Sequence, residues 1–129
     1  MDPKFLSLAR VMEIHRESIE HYGGDPGVRD LGLLQSALAQ PRAGFGGQYF
    51  HEDLAAMAAA YLCQIVSNHP FVDGNKRTGA LAAFVFLEMN GVDFDADDSE
   101  FEAVVLAVAR GEMDKASVAH FFRTSLASA

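Results

Sequence analysis

The sequence predicts an all-α fold, a compact bundle of about six or seven helices with a short flap or hairpin near residues 43–50. Three observations predict it. Apolar residues recur at spacings of three and four along nearly the whole chain. Half of the 129 residues are hydrophobic, enough to build one core. Glycine and proline punctuate the apolar stripes where helices would stop.

Each element follows in order. Phe5, Leu8, Met12, His15, Ile19 and Tyr22 write one stripe on a first helix, which Gly23-Gly24 closes before a turn at Pro26-Gly27. Leu31, Leu34 and Leu38 predict a short second helix ending before Pro41. Residues 43–50 hold three glycines among aromatics, the composition of a loop or small hairpin. Leu54, Met57, Ala58, Tyr61, Leu62, Ile65 and Val66 form an apolar face so wide that this helix is expected to be central and buried on most sides. It ends at Asn68-His69-Pro70. A further helix starts near Lys76, with Asn75 as its expected N-cap, and runs through Leu81, Phe84, Val85 and Leu87 to Asn90-Gly91. Phe101, Val104, Val105 and Val108 mark another helix, and Val118, Phe121, Phe122 and Leu126 the last. By spacing, Tyr61, Phe84 and Phe86 belong to the core.

Length and composition bound the function classes. A chain of 129 residues and 14.0 kDa reads as a single domain, 1–129. No apolar run approaches the roughly 18 residues of a membrane span. Met1-Asp2-Pro3-Lys4-Phe5 lacks a basic segment followed by an apolar one, so no secretory leader is expected. Cys63, the only cysteine, leaves no internal disulfide and no cysteine-based zinc site, and points to a reducing cytoplasm. The net charge of −8 argues against nucleic-acid binding, since no basic cluster exceeds Lys76-Arg77. Asp93, Asp95, Asp97, Asp98, Glu100 and Glu102 crowd into ten residues and read as a solvated loop and helix start.

The chemistry concentrates in His69-Pro70-Phe71-Val72-Asp73-Gly74-Asn75-Lys76-Arg77-Thr78-Gly79, which joins the central helix to the next. Pro70 biases His69 away from helical backbone, so the helix ends there and turns its imidazole outward. Phe71 anchors the loop in the core. Asp73-Gly74 makes a turn and lets the backbone approach a ligand. The unpaired N–H groups of the following helix, with Lys76 and Arg77 beside them, form an anion site. Together these parts suit a nucleotide polyphosphate. Asp73 is a hard carboxylate for Mg²⁺, and the His69 imidazole is a group that can take a proton from an attacking hydroxyl.

This segment resembles the signature of the Fic/Doc superfamily, His-x-Phe-x-Asp/Glu-Gly-Asn-Gly-Arg-x-x-Arg in the adenylylating Fic enzymes. His69, Phe71, Asp73, Gly74, Asn75 and Arg77 match it. Lys76 and Ala80 stand where Fic has its second glycine and second arginine. Both departures resemble the Doc branch, the death-on-curing toxins, whose signature reads like Asp-Ala-Asn-Lys-Arg-Thr; Gly74 is the Fic-like variant at its position. Ile14-His15, Tyr22 to Gly27, Leu33 to Pro41 and Phe86 to Gly91 resemble Doc-type proteins as well, so the similarity covers most of the chain.

The resemblance implies a function. Fic enzymes transfer AMP from ATP to a protein hydroxyl. The Doc branch binds the nucleotide the other way round and transfers the γ-phosphoryl group to a threonine of elongation factor Tu, halting translation. Carried over, His69 is the base on the target hydroxyl, Asp73 holds Mg²⁺, and Asn75, Lys76, Arg77 and the N–H of Gly74 hold the phosphates of ATP. Lysine in place of glycine fills space and moves the charge the polyphosphate meets. Doc toxins are neutralised by a separate antitoxin whose disordered tail folds onto them. The Ser/Thr-x-x-x-Glu-Gly/Asn motif of self-inhibited Fic enzymes does not occur here, so an inhibitor in trans is expected. The family places its target-docking flap at 43–50. Two alternatives stand beside the kinase: a Fic-like adenylyltransferase, and a catalytically silent member that only binds a partner.

The remaining candidates read as structure. His15 lies on an apolar stripe and is expected in the core. His21, His51 and His120 show no metal-ligand spacing, and Cys63 reads as a buried inert thiol.

Overall fold

The computed structural model describes residues 2–126, which form six helices and one two-stranded hairpin. Helix α1 spans Leu8–Tyr22 and α2 spans Leu31–Ala39. The hairpin pairs β1 (Gly44–Phe45) with β2 (Gln48–Tyr49), antiparallel, with Gly44 opposite Tyr49. Helices α3 (Leu54–Asn68), α4 (Asn75–Met89), α5 (Asp98–Ala109) and α6 (Lys115–Thr124) follow. Among the described residues no helix is long and apolar enough to cross a membrane.

Short acidic or hydroxyl side chains start five of the helices. Ser7 accepts from the Arg10 N–H at 3.1 Å, Asp30 from Leu33 at 3.0 Å, Asp53 from Ala56 at 2.8 Å and Asp114 from Ser117 at 2.8 Å. Asp97 caps α5, with Asp98 and Glu100 in its first turn, where the helix dipole favours negative charge. The acid-rich run is thus a loop and a helix start. The hairpin turns at Gly46 and Gly47, both at positive φ (61° and 81°), the backbone that a tight two-residue turn requires.

Helix α3 is the axis of the molecule. It packs against α2, α4, α5 and α6, and Ala58, Tyr61, Leu62 and Ile65 are fully buried. Its apposition with α4 depends on Gly79: a Cβ there would sit 2.9 Å from Val66 Cγ2 and 3.3 Å from the Leu62 carbonyl oxygen. Tyr61 packs in the core against Phe86 with the rings tilted, and its hydroxyl accepts from the Leu6 N–H at 2.9 Å, which satisfies the one polar atom its burial brings inside. Phe94 lies edge-on to Phe101, Phe121 and Phe122 and closes the far end of the bundle.

Two expectations need correction. Phe84 is not a core residue; it is 36% exposed and meets Phe94 edge-on at the surface, while its neighbour Phe86 is fully buried. Asn75 is not the N-cap of α4. That position belongs to Gly74, at φ 82°, which makes no side-chain cap bond.

Candidate active site

The α3–α4 loop is held from within and from the side. Inside it, Asn75 turns back to Phe71: the Phe71 N–H donates to Asn75 Oδ1 at 3.0 Å, and Asn75 Nδ2 donates to the Phe71 carbonyl at 2.9 Å. That pair consumes the Asn75 side chain, which is buried, so what Asn75 presents outward is its backbone N–H. Beneath the loop, His15 of α1 is 2% exposed and hydrogen-bonds through Nε2 to the Asp73 carbonyl at 2.8 Å. The carbonyl accepts, so Nε2 carries the proton. His15 is the core histidine its spacing predicts, and it also supports the loop.

The side support comes from the segment after α1. The Asp25 N–H donates to Asp73 Oδ2 at 2.8 Å. Val72 N–H donates to the Gly27 carbonyl at 3.0 Å, and the N–H groups of Arg29 and Asp30 both donate to the Pro70 carbonyl. Gly24 runs so close that a Cβ there would approach Asp73 Cβ to 3.2 Å. Its φ of 116° adds a second requirement for glycine.

These supports shape a cleft of about 530 Å³ lined by Tyr22, Gly23, Gly24, His69, Val72, Asp73, Gly74, Asn75, Lys76 and Arg77. All six residues singled out from the sequence, His69, Asp73, Gly74, Asn75, Lys76 and Arg77, face it together. The first intrahelical bond of α4 runs from Thr78 N–H to the Gly74 carbonyl at 2.9 Å. The N–H groups of Gly74, Asn75, Lys76 and Arg77 therefore have no helical carbonyl behind them, and this end of the helix carries positive potential. Exposed Lys76 and half-buried Arg77 add two full charges.

His69 is the C-cap of α3, exposed and left-handed at φ 49° and ψ 52°. It is the one non-glycine residue at positive φ among the described residues. A residue with a Cβ adopts this conformation at a cost of about 1–2 kcal/mol, which the surrounding bonds must offset.

Sequence reasoning missed three contributors. Tyr22 fits the apolar stripe of the first helix by spacing, yet it is 65% exposed and its ring carries the Arg77 guanidinium, 4.1 Å from the centroid. Asp25 and Arg29 bond the loop from some forty residues' distance or more along the chain, and no local pattern marks them.

The donor set also bears on a divalent ion. Among the described residues no three His, Cys, Asp or Glu side chains cluster as a metal cage. One oxygen of Asp73 is taken by Asp25, and the other has no hydrogen-bond partner among the described residues. A single open carboxylate oxygen beside an anion cradle fits Mg²⁺, which shares its shell with phosphates and water.

The fold and the cleft define a class: a helical domain with a free helix start, two cations and an exposed imidazole around one cleft. The Fic/DOC family model matches residues 5–87, and the chain belongs to that family. It is similar to a protein named Toxin Doc from Mycolicibacterium smegmatis, 47% identical over 83 residues, a match spanning 61% of this chain and 64% of that protein. It is also similar to Protein kinase doc from Escherichia phage P1, 32% identical over 126 residues and 98% of both chains.

Proposed function

We propose that this chain is a Doc-like toxin that transfers the γ-phosphoryl group of ATP to a threonine hydroxyl of a translation factor of the elongation factor Tu class, in the cytoplasm, and is neutralised by a cognate antitoxin with a disordered tail. The observation that carries this reading is the convergence on one cleft of a helix start, two cations, an open carboxylate and an exposed imidazole. The names of its relatives, a toxin and a protein kinase, support the same reading.

In this mechanism the N–H groups of Gly74, Asn75, Lys76 and Arg77 and the Lys76 and Arg77 side chains hold the phosphates of ATP. An unprotonated His69 nitrogen takes the proton of the target hydroxyl as its oxygen attacks the γ-phosphorus. A new O–P bond forms, the bond from the γ-phosphorus to the β–γ bridging oxygen breaks, and ADP leaves with that electron pair. Asp73 is the residue to hold Mg²⁺, which when bound neutralises charge on the phosphates. Asp25 and His15 keep the Asp73 carboxylate and backbone in place for it.

AMP transfer is the second reading, favoured by Gly74 alone. The mass of the product separates them. With ATP, Mg²⁺ and purified elongation factor Tu, a target heavier by about 80 Da has gained a phosphoryl group, and one heavier by about 329 Da an adenylyl group. The kinase reading expects the first, and its loss in His69→Ala. An unmodified target with the wild-type protein counts against both.

A further inference from the structure

Arg29 is bonded to three successive carbonyls at the end of α3. Its Nε donates to the His69 carbonyl at 2.5 Å and its Nη2 to the Asn68 carbonyl at 2.8 Å. Its backbone N–H donates to the Pro70 carbonyl at 2.8 Å. The residue is anchored before its side chain reaches out, because Val28 pairs antiparallel with Phe71 and Asp30 shares the Pro70 carbonyl.

We propose that Arg29 is a positioning residue for His69, setting the left-handed backbone that presents the imidazole to the phosphate cleft. The proposal rests on the reading of His69 as the base of the transfer reaction. Two opposing preferences meet at His69. Pro70 disfavours continuation of the helix and pushes the residue before it toward extended backbone. The cleft instead places His69 in the left-handed region. A planar guanidinium donates two bonds at once in a fixed fork, and here the fork holds the Asn68 and His69 carbonyls, which flank the φ and ψ of His69. The carbonyls at a helix C-terminus are unpaired and negative, so a cation there is also favoured electrostatically. A lysine would supply the charge without the fork.

The test uses the full chain and its Arg29→Ala and Arg29→Lys variants, with two independent readouts. The first is the intraresidue amide-to-Hα NOE of His69, strong when φ is positive. The second is steady-state transfer with ATP and the translation factor. Arg29→Ala is expected to weaken the NOE and lower kcat on the order of 10- to 100-fold while the KM for ATP stays within about twofold. Added guanidinium ion should restore part of kcat, since the Arg29 site is open to solvent. Arg29→Lys should keep the fold and recover only part of both signals; it carries the test should the alanine variant not fold. An unchanged NOE, an unchanged kcat, or a loss confined to KM overturns the proposal. A wild-type protein that transfers nothing overturns the phosphotransfer reading instead, and the NOE then decides alone whether Arg29 sets the His69 backbone.

Discussion

The imidazole of His15 lies flat on the ring of Phe71, with centroids 3.7 Å apart and planes within 9° of parallel. Phe71 is the loop's anchor in the core, and Nε2 of the same His15 imidazole bonds the Asp73 carbonyl at the edge of the cleft. One buried side chain thus links the packing of α1 to the shape of the α3–α4 loop. Replacing it with alanine removes the stack, leaves a cavity and orphans a carbonyl. His15→Ala is expected to lose about 2–4 kcal/mol of stability in urea denaturation. A variant as stable as wild type would show that the loop holds itself.

Asp53 caps α3 and also pairs with Arg123 of α6, Nε to Oδ2 at 2.8 Å. The Arg123 hydrogen bond, with the cap bond from Ala56, holds its carboxyl below the usual range despite some desolvation. A lowered carboxylate stabilises the fold above the unfolded value near 3.8, and that contribution is lost as pH falls through the lower folded value. The pair is partly exposed, so its worth is modest. Asp53→Ala is expected to cost about 1–2 kcal/mol at neutral pH, mostly through the cap, with the gap to wild type closing in strong acid. Thermal melts at a series of pH values measure this.

Burial pushes the Cys63 thiol up to about 11. The folded chain therefore keeps a proton that the unfolded chain releases above 9, so stability declines between those two values as pH rises. At pH 8 the native thiol should resist a maleimide for hours and react within minutes in guanidinium chloride. Rapid labelling of the native protein would contradict the burial of Cys63.

Tyr22 supports Arg77 through its ring face, so the hydroxyl is dispensable and the aromatic ring is not. Tyr22→Phe should leave the KM for ATP near wild type. Tyr22→Ala should raise it roughly fivefold, the equivalent of about 1 kcal/mol, with little change in the melting temperature. Equal KM values in all three proteins would remove Tyr22 from the site.

Much of this arrangement was legible in the residues. Helical periodicity located all six helices, because each buries one face in the bundle and must repeat its apolar residues to do so. The central place of α3 followed from the breadth of its apolar face. The chemical groups of the cleft were legible because they are contiguous, running from His69 to Arg77 across one loop. What stayed hidden depends on contacts between distant segments. Asn75 has the chemistry of a cap, but the Phe71 backbone lies within its reach and takes both its polar atoms. Tyr22 fits an apolar stripe until the position of Arg77 is known. Arg29 looks like any surface cation until the end of α3 is laid beside it.

The girdle of helices around α3 also governs which parts of the protein can yield. Backbone amides in the middle of α3 can exchange with deuterium only when the whole domain opens, so their rates measure its global stability. The 44–49 hairpin, with its exposed Phe45, has far less packing to surrender and should exchange quickly. Under the proposed function, a protein substrate would meet a hairpin and rim side chains that can adjust, over a floor held by α3.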